Sequence, residues 1–435
     1  MYKSLLLFIG VVVLSSHKIY SQDTVPSDIK TPDSILQNFM DKRFGLFIHW
    51  GPVTLRGTEI GWSRNHQVAQ SDYDSLYKEF NPVLFSADAW VKMAKHAGVK
   101  YLTITAKHHD GFCLWPSAFT KYNISNTPYK KDIVGQLATA CKKYGIKFCI
   151  YYSVLDWYDV DYPLHNDGKK TSDPNANMKR YIVYMKNQLK ELITAYHPYM
   201  LWFDGNWESP WTQQMAVDMY AYIKSIDRKV IINNRLGKTD HKLISSETVG
   251  DYATPEQEIG AINMKDPWES CITICHQWSW KPNDEMKSLS QCVRTLSRTA
   301  GGNGNLLLNV GPMPDGRIEA RQSKRLEEIG NWLQKNGVAI YGTKGGPYKP
   351  DSIFSSTRKG NKIFLHLYSN NQSSLNISAI PGLKVQRAYF LAGGKINFTE
   401  AESKISLSWT GDMPDPVCSI MVIEMSDRVD SIPLL

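Results

Sequence analysis

Met200-Leu201-Trp202-Phe203-Asp204-Gly205 reads as a buried strand that ends in a carboxylate. A charge leaving water without a partner is strongly disfavoured, so Asp204 must be paired, hydrogen-bonded or catalytic. The same arrangement recurs on both sides of it. Apolar runs end in polar or aromatic residues at Gly45-Leu46-Phe47-Ile48-His49-Trp50, from Tyr101 to His108-His109-Asp110, at Phe148-Cys149-Ile150-Tyr151-Tyr152, and at Val230-Ile231-Ile232-Asn233-Asn234-Arg235. Each reads as a strand with a functional tip.

Outward from these runs, strand candidates alternate with helical segments from Lys42 to about Gly342, the pattern of a parallel sheet with crossover helices. Eight strands are expected, over 45–50, 100–107, 146–153, 200–204, 229–234, 243–248, 271–278 and 305–310. Between them, 87–98, 132–145 and 177–196 carry apolar residues at helical spacing and often close with Gly. No Gly-rich nucleotide fingerprint follows the first strand, so the α/β fold expected is a (β/α)8-like barrel and not a doubly wound sheet. After Gly345-Gly346-Pro347 the texture changes to short alternating runs, 362–368, 375–380, 385–391, 405–409 and 417–425, which read as a small C-terminal antiparallel β-sandwich. The expected organisation is a signal peptide over 1–22, a catalytic barrel over 30–342 and the sandwich over 347–430, packed on the barrel through a short linker.

The signal-peptide reading rests on the apolar run 5–14 between Lys3 and Ser15-Ser16-His17, too short for a span. With no second long apolar run, the mature chain is expected to be exported, periplasmic or secreted, with no membrane span. The net charge of +8 is spread over 435 residues, which gives nucleic-acid binding little support. Seven scattered cysteines make no small-domain disulfide framework, and Cys271 and Cys275 lack a second pair at zinc-ligand spacing. The 13 Trp and 23 Tyr are more telling, because several fall at strand tips, where a flat apolar face with a polar handle suits a sugar ring.

In a barrel the C-terminal strand tips converge on the active site. Here they supply His49, His108, His109, Tyr151, Asp204, Arg235, Glu247, Trp278 and Asn309: a carboxylate, imidazoles, a cation and aromatic walls. Two carboxylates beside a sugar-shaped pocket are the minimum for glycoside hydrolysis. A metal site from His49, His108 and His109 is disfavoured, since adjacent strand residues point to opposite faces.

Four strings, His49-Trp50-Gly51, Lys107-His108-His109-Asp110-Gly111-Phe112, Trp202-Phe203-Asp204-Gly205 and Gly302-Asn303-Gly304-Asn305-Leu306-Leu307-Leu308-Asn309-Val310-Gly311-Pro312, together resemble the α-L-fucosidases of glycoside hydrolase family 29. The resemblance implies a retaining exo-glycosidase that removes terminal α-L-fucose from a fucosylated glycan without metal or cofactor. By position it implies Asp204 as nucleophile and His49, His108, His109, Tyr151 and Trp202 as fucose contacts, with Glu59 and Trp62 adding contacts from the loop after the first strand. Arg235, one strand tip away, is expected to keep Asp204 ionised. For the acid/base, Glu256 in the loop after the sixth strand comes first, Glu247 at that strand's tip second, and Glu269, before the seventh strand, third. Two other readings stay open: a non-catalytic fucose-binding protein on the same fold, and a barrel glycosidase for another sugar. Oligomeric state is open as well.

Overall fold

The computed structural model describes residues 24–165, 173–368 and 372–435. The proposed signal peptide lies outside the described residues. β1 (Phe44–Ile48), β2 (Tyr101–Lys107), β3 (Lys147–Ser153), β4 (Met200–Asp204), β5 (Ile231–Ile232), β6 (Glu269–Thr273) and β7 (Asn305–Val310) form one parallel sheet, ordered β5-β4-β3-β2-β1-β7-β6. Strands buried on both faces explain why the runs are continuously apolar and not alternating.

The period of two is nonetheless visible in where each side chain goes. Leu201 and Phe203 join the core shared with the outer helices, whereas Met200 and Trp202 join a second core inside the barrel with Phe47, Cys149, Tyr151, Cys271 and Leu307. Asp204 is in phase with Met200 and Trp202, so its side chain belongs to the interior. The helices are α1 (Asp33–Met40), α2 (Gln70–Tyr73), α3 (Ala87–His96), α4 (Ile133–Tyr144), α5 (Met178–Tyr196), α6 (Gln213–Ile226), α7 (Leu289–Gly301) and α8 (Ala320–Asn336). Their ends follow local chemistry: Asp132 and Asn177 accept first-turn N–H groups of α4 and α5, Ser288 and Gln291 form a capping box on α7, and Gly145 closes α4 at φ 73°.

The sixth strand is not where the sequence suggests. Residues 243–248 form no strand: a turn falls at 246–247, Thr248 Oγ1 accepts from Ser245 N, and Leu243 is exposed. The segment around Asp251-Tyr252-Ala253 takes the place, bridging in parallel to Asn233 on one side and to Trp268 on the other. Asp251 carries the segment: its buried carboxylate accepts from Ile232 N at 2.8 Å, Tyr220 OH at 2.6 Å and Thr31 Oγ1 at 2.7 Å. Gly250, at φ 148°, allows the approach, since a Cβ there would lie 2.4 Å from Asn233 O. β5 is short for a related reason. The side chain of Asn233 donates to Phe203 O and accepts from Phe203 N, standing in for the backbone ladder. No α-helix separates β5 from β6.

Beyond the barrel, β8 (Lys344–Gly345), β9 (Phe354–Lys359), β10 (Lys362–Leu367), β11 (Ser374–Ser378), β12 (Val385–Phe390), β13 (Asn397–Glu400), β14 (Lys404–Ser408) and β15 (Ser419–Met425) build two antiparallel sheets, β12-β15-β10-β9-β8 and β11-β14-β13. Alternation divides β15 between two cores: Ile420 and Val422 pack with the barrel, Met421, Ile423 and Met425 with the other sheet. Trp332 of α8 donates to Cys418 O at 3.1 Å, and Ser355 of β9 to Ser297 O of α7 at 2.9 Å. The sandwich therefore sits against α7 and α8, as the short linker suggests.

Candidate active site

The C-terminal ends of the parallel strands enclose a cavity of about 120 Å³. β1 sends His49 into it, β2 His108, β3 Tyr151 and β4 Trp202 and Asp204. Arg235, Glu256 and Trp278 arrive from the loops after β5, Ala253 and β6. Asp204 ends its strand because Gly205 turns the chain at φ 90°, where a Cβ would strike Leu155.

Arg235 organises the charges. Its Nη1 donates to Asp204 Oδ1 at 3.0 Å and to Glu256 Oε2 at 2.7 Å. Nε and Nη2 are held by Thr254 Oγ1 and Thr254 O, each at 2.9 Å, and the guanidinium lies 4.9 Å over the Trp202 ring. Burial by itself would lower the Arg235 pKa, but Asp204, Cys271 and Glu256 outweigh it and raise it, so the cation is permanent. Two bonds to one nitrogen bound the separation of the carboxyl oxygens by their lengths laid end to end, 3.0 and 2.7 Å. Retaining glycosidases hold their carboxyls closer, roughly 5–5.5 Å apart, than inverting ones, roughly 6.5–9.5 Å, and one cation shared by both is compatible with the closer pair. The Asp204 side chain is 14% exposed and that of Glu256 36%, which makes Glu256 the carboxyl nearer the mouth.

Tyr151 OH donates to Asp204 Oδ2 at 3.1 Å. His109 Nε2 is 3.7 Å from the same oxygen, but burial lowers the His109 pKa to about 3, so the contact joins a neutral ring to a carboxylate and is no ion pair. Its tautomer follows from Ser153, whose Oγ donates to Leu155 O at 2.9 Å and therefore accepts from His109 Nδ1 at 2.7 Å. His49 is held similarly. Asn309 donates its Nδ2 to Trp278 O, which turns Oδ1 toward His49 Nδ1 at 2.6 Å. Burial holds His49 near a pKa of about 3, and burial likewise lowers that of His108. With its Nδ1 donating, His49 keeps Nε2 as an acceptor suited to a sugar hydroxyl.

Several expected site residues stand elsewhere. Glu59 does not line the cavity; its carboxylate accepts from Trp278 N at 2.9 Å and from Ser279 N at 3.1 Å, latching the loop after β1 to the loop after β6. Trp278 lies in that loop, beyond the end of β6 at Thr273, clamped between Glu59 and Asn309. Glu247 is exposed on a turn because the expected strand beneath it does not form. Glu269 is the first residue of β6 and fully buried on the barrel floor, accepting from Tyr101 OH at 2.5 Å and Trp202 Nε1 at 3.1 Å. Trp202 separates it from the cavity. His109 touches Asp204 from behind the lining residues. The sequence reading also passed over Phe47, Cys271 and Trp207, which line the cavity. Counting back two residues from His49 would have found Phe47.

Among the described residues, no three His, Cys, Asp or Glu side chains are grouped so as to hold a metal ion. A larger cleft of about 730 Å³ opens at the opposite, N-terminal end of the strands, between α1 and the C-terminal residues Asp430 to Leu434. Its charges, among them Asp33, Asp266, Lys344 and Arg358, are mixed in sign, and barrel chemistry belongs to the other end.

A family model described as alpha-L-fucosidase matches residues 12–338. The chain is 32% identical over 356 residues to the tissue alpha-L-fucosidase of Bos taurus, covering 75% of this chain and 73% of that one. It resembles the solved structure of alpha-L-fucosidase isoenzyme 1 from Paenibacillus thiaminolyticus at a TM-score of 0.83 and 32% identity, covering 91% of this chain and 99% of that one. A family 29 alpha-L-fucosidase from Bacteroides thetaiotaomicron, solved as a trapped covalent intermediate with 2-fluoro-fucosyl fluoride, aligns at a TM-score of 0.82 and 27% identity, over 93% of this chain and 99% of that one.

Proposed function

The chain belongs to the α-L-fucosidase family, glycoside hydrolase family 29, and on that footing we propose that it hydrolyses terminal α-L-fucose from glycans by double displacement, with Asp204 as nucleophile and Glu256 as acid/base. The observation that carries this reading is the single guanidinium nitrogen shared by the two carboxyls. The first half-reaction uses Asp204 as the carboxylate and Glu256 as the acid. Asp204 attacks the anomeric carbon, the glycosidic bond breaks, and Glu256 gives its proton to the departing oxygen. Asp204 is then an ester and Glu256 a carboxylate, so the pair still carries one negative charge opposite Arg235. Water gives a proton to Glu256 as it attacks the anomeric carbon, which restores both groups and releases fucose with its configuration retained.

Recognition divides between the walls. His49 offers an acceptor to a hydroxyl, while Phe47, Tyr151, Trp202 and Trp278, packed ring against ring, offer an apolar face to the methyl group that distinguishes fucose from galactose. A space of about 120 Å³ suits one sugar, in keeping with exo action.

The test is release of 4-nitrophenol from its α-L-fucoside by the wild type and by Asp204→Ala and Glu256→Ala, with azide added. Both variants are expected to be crippled, the first rescued as β-fucosyl azide. An Asp204→Ala variant that keeps most of its activity sinks the assignment. Binding of fucose without turnover would favour a lectin-like protein, and preference for the aryl galactoside a different glycosidase. Export is proposed from the apolar run 5–14 alone, and sequencing the N-terminus of the mature protein tests it.

A further inference from the structure

We propose that Trp207, together with Trp62, forms a binding subsite for the first sugar of the leaving group, receiving a pyranose on its apolar C–H face. The inference rests on the fucosidase reading and adds the residue that meets the other side of the scissile bond. The cavity, at about 120 Å³, has room for one sugar, so whatever fucose is attached to must lie at the rim. At that rim stand the two exposed tryptophans among the described residues, Trp62 at 45% and Trp207 at 47% exposure. Both also line the cavity. Their rings stack on each other, centroids 5.7 Å apart and planes inclined by 20°, so the two indoles form one apolar cluster at the mouth of the site.

That surface is built and held. Asn206 donates from its side chain to Gly237 O, and Lys238 Nζ donates to Asn206 O at 2.6 Å and Glu208 O at 3.0 Å. The Glu208 carboxylate accepts from Trp157 Nε1 at 3.1 Å and Tyr162 OH at 2.6 Å. Both chain neighbours of Trp207 are thus fixed while the indole between them is left to solvent, and Trp62 is braced edge-on by Trp157. An exposed aromatic on a pinned backbone is a preorganised contact, with little ordering left to oppose binding. Both rings also meet His109 edge-on, at 5.2 and 5.6 Å, and His109 Nε2 is 3.7 Å from Asp204. The tryptophan pair is therefore linked to the nucleophile through one residue, His109.

Comparing two substrates isolates this contact. α-L-Fucosyl fluoride has no second sugar, and its fluoride leaves as an ion without a proton as the bond from Asp204 to the anomeric carbon forms. A fucosyl disaccharide must place a sugar on the rim. Replacing Trp207→Ala is expected to lower the ratio of kcat/KM for disaccharide over fluoride by about tenfold, the scale of one aromatic contact, and Trp207→Tyr to restore most of it. A parallel fall for both substrates, or no fall for the disaccharide, overturns the proposal. If the alanine variant does not fold, Trp207→Leu against Trp207→Tyr makes the same comparison. A wild type that leaves fucosyl fluoride intact overturns the fucosidase reading itself, and the subsite with it.

Discussion

Arg235 is the residue on which the site's electrostatics turn, because one of its nitrogens serves both carboxyls. A fixed cation opposite a pair that carries one negative charge before and after glycosylation needs no rearrangement between the two half-reactions. Arg235→Met is expected to lower kcat/KM for the aryl fucoside at least about 100-fold, the scale of losing a preorganised charge; a fall below about tenfold would contradict this role. Glu269 behaves differently. Burial raises its pKa to about 7, against hydrogen bonds from Tyr101, Trp202 and Tyr252 that favour the ionised form. Between its ordinary 4.5 and about 7, the folded chain keeps a proton that the unfolded chain has lost. The stabilisation is whole below that window and is lost as pH rises through it, a change on the order of 3 kcal/mol. Glu269→Gln does not titrate there, so in urea denaturation it should gain on the wild type by about that amount between about pH 4.5 and about pH 8. A pH-independent difference would rule this out.

Among the elements, the short segment around Tyr252 shows what a pattern of apolar runs cannot reach. Residues 243–248 carry Leu243 and Ile244 and read as a strand, yet they form none. The segment that closes the gap between β5 and β6 is tied by a carboxylate, Asp251, whose partners Thr31, Tyr220 and Lys224 are distant in sequence. No local signal announces such a tie. Asp251→Ala removes the partner of buried Lys224 and should destabilise the protein by about 3–5 kcal/mol. It should also lower kcat, since the same segment leads to Glu256; full activity at unchanged melting temperature would contradict both. Where structure is set locally, it was legible. The helix ends at Asp132, Gly145 and Asn177 follow cap chemistry readable in sequence. Ser288→Ala, which breaks the α7 capping box, should cost about 1 kcal/mol in chemical denaturation and leave kcat unchanged.

At the scale of the whole molecule, the barrel and sandwich share a core. Phe364, Ile420 and Val422 belong to the same buried cluster as the helices around the barrel. Calorimetry should therefore find one unfolding transition for both parts, and two separated transitions would show that the interface does not couple them. The barrel and the tip residues His49, His108, Tyr151, Asp204 and Arg235 were legible because each strand's run is apolar and its end is not. Strands β8, β9 and β13 were not, since Phe354–Lys359 and Asn397–Glu400 are polar runs paired at or near an edge. Trp207 escaped because a loop tryptophan carries no period. The most direct test of the central claim is to incubate the protein with 2-deoxy-2-fluoro-α-L-fucosyl fluoride, digest it and locate the label by mass spectrometry. The account predicts one fluorofucosyl group, on the peptide that contains Asp204. A label on any other carboxylate, or turnover with no covalent species trapped, would contradict it.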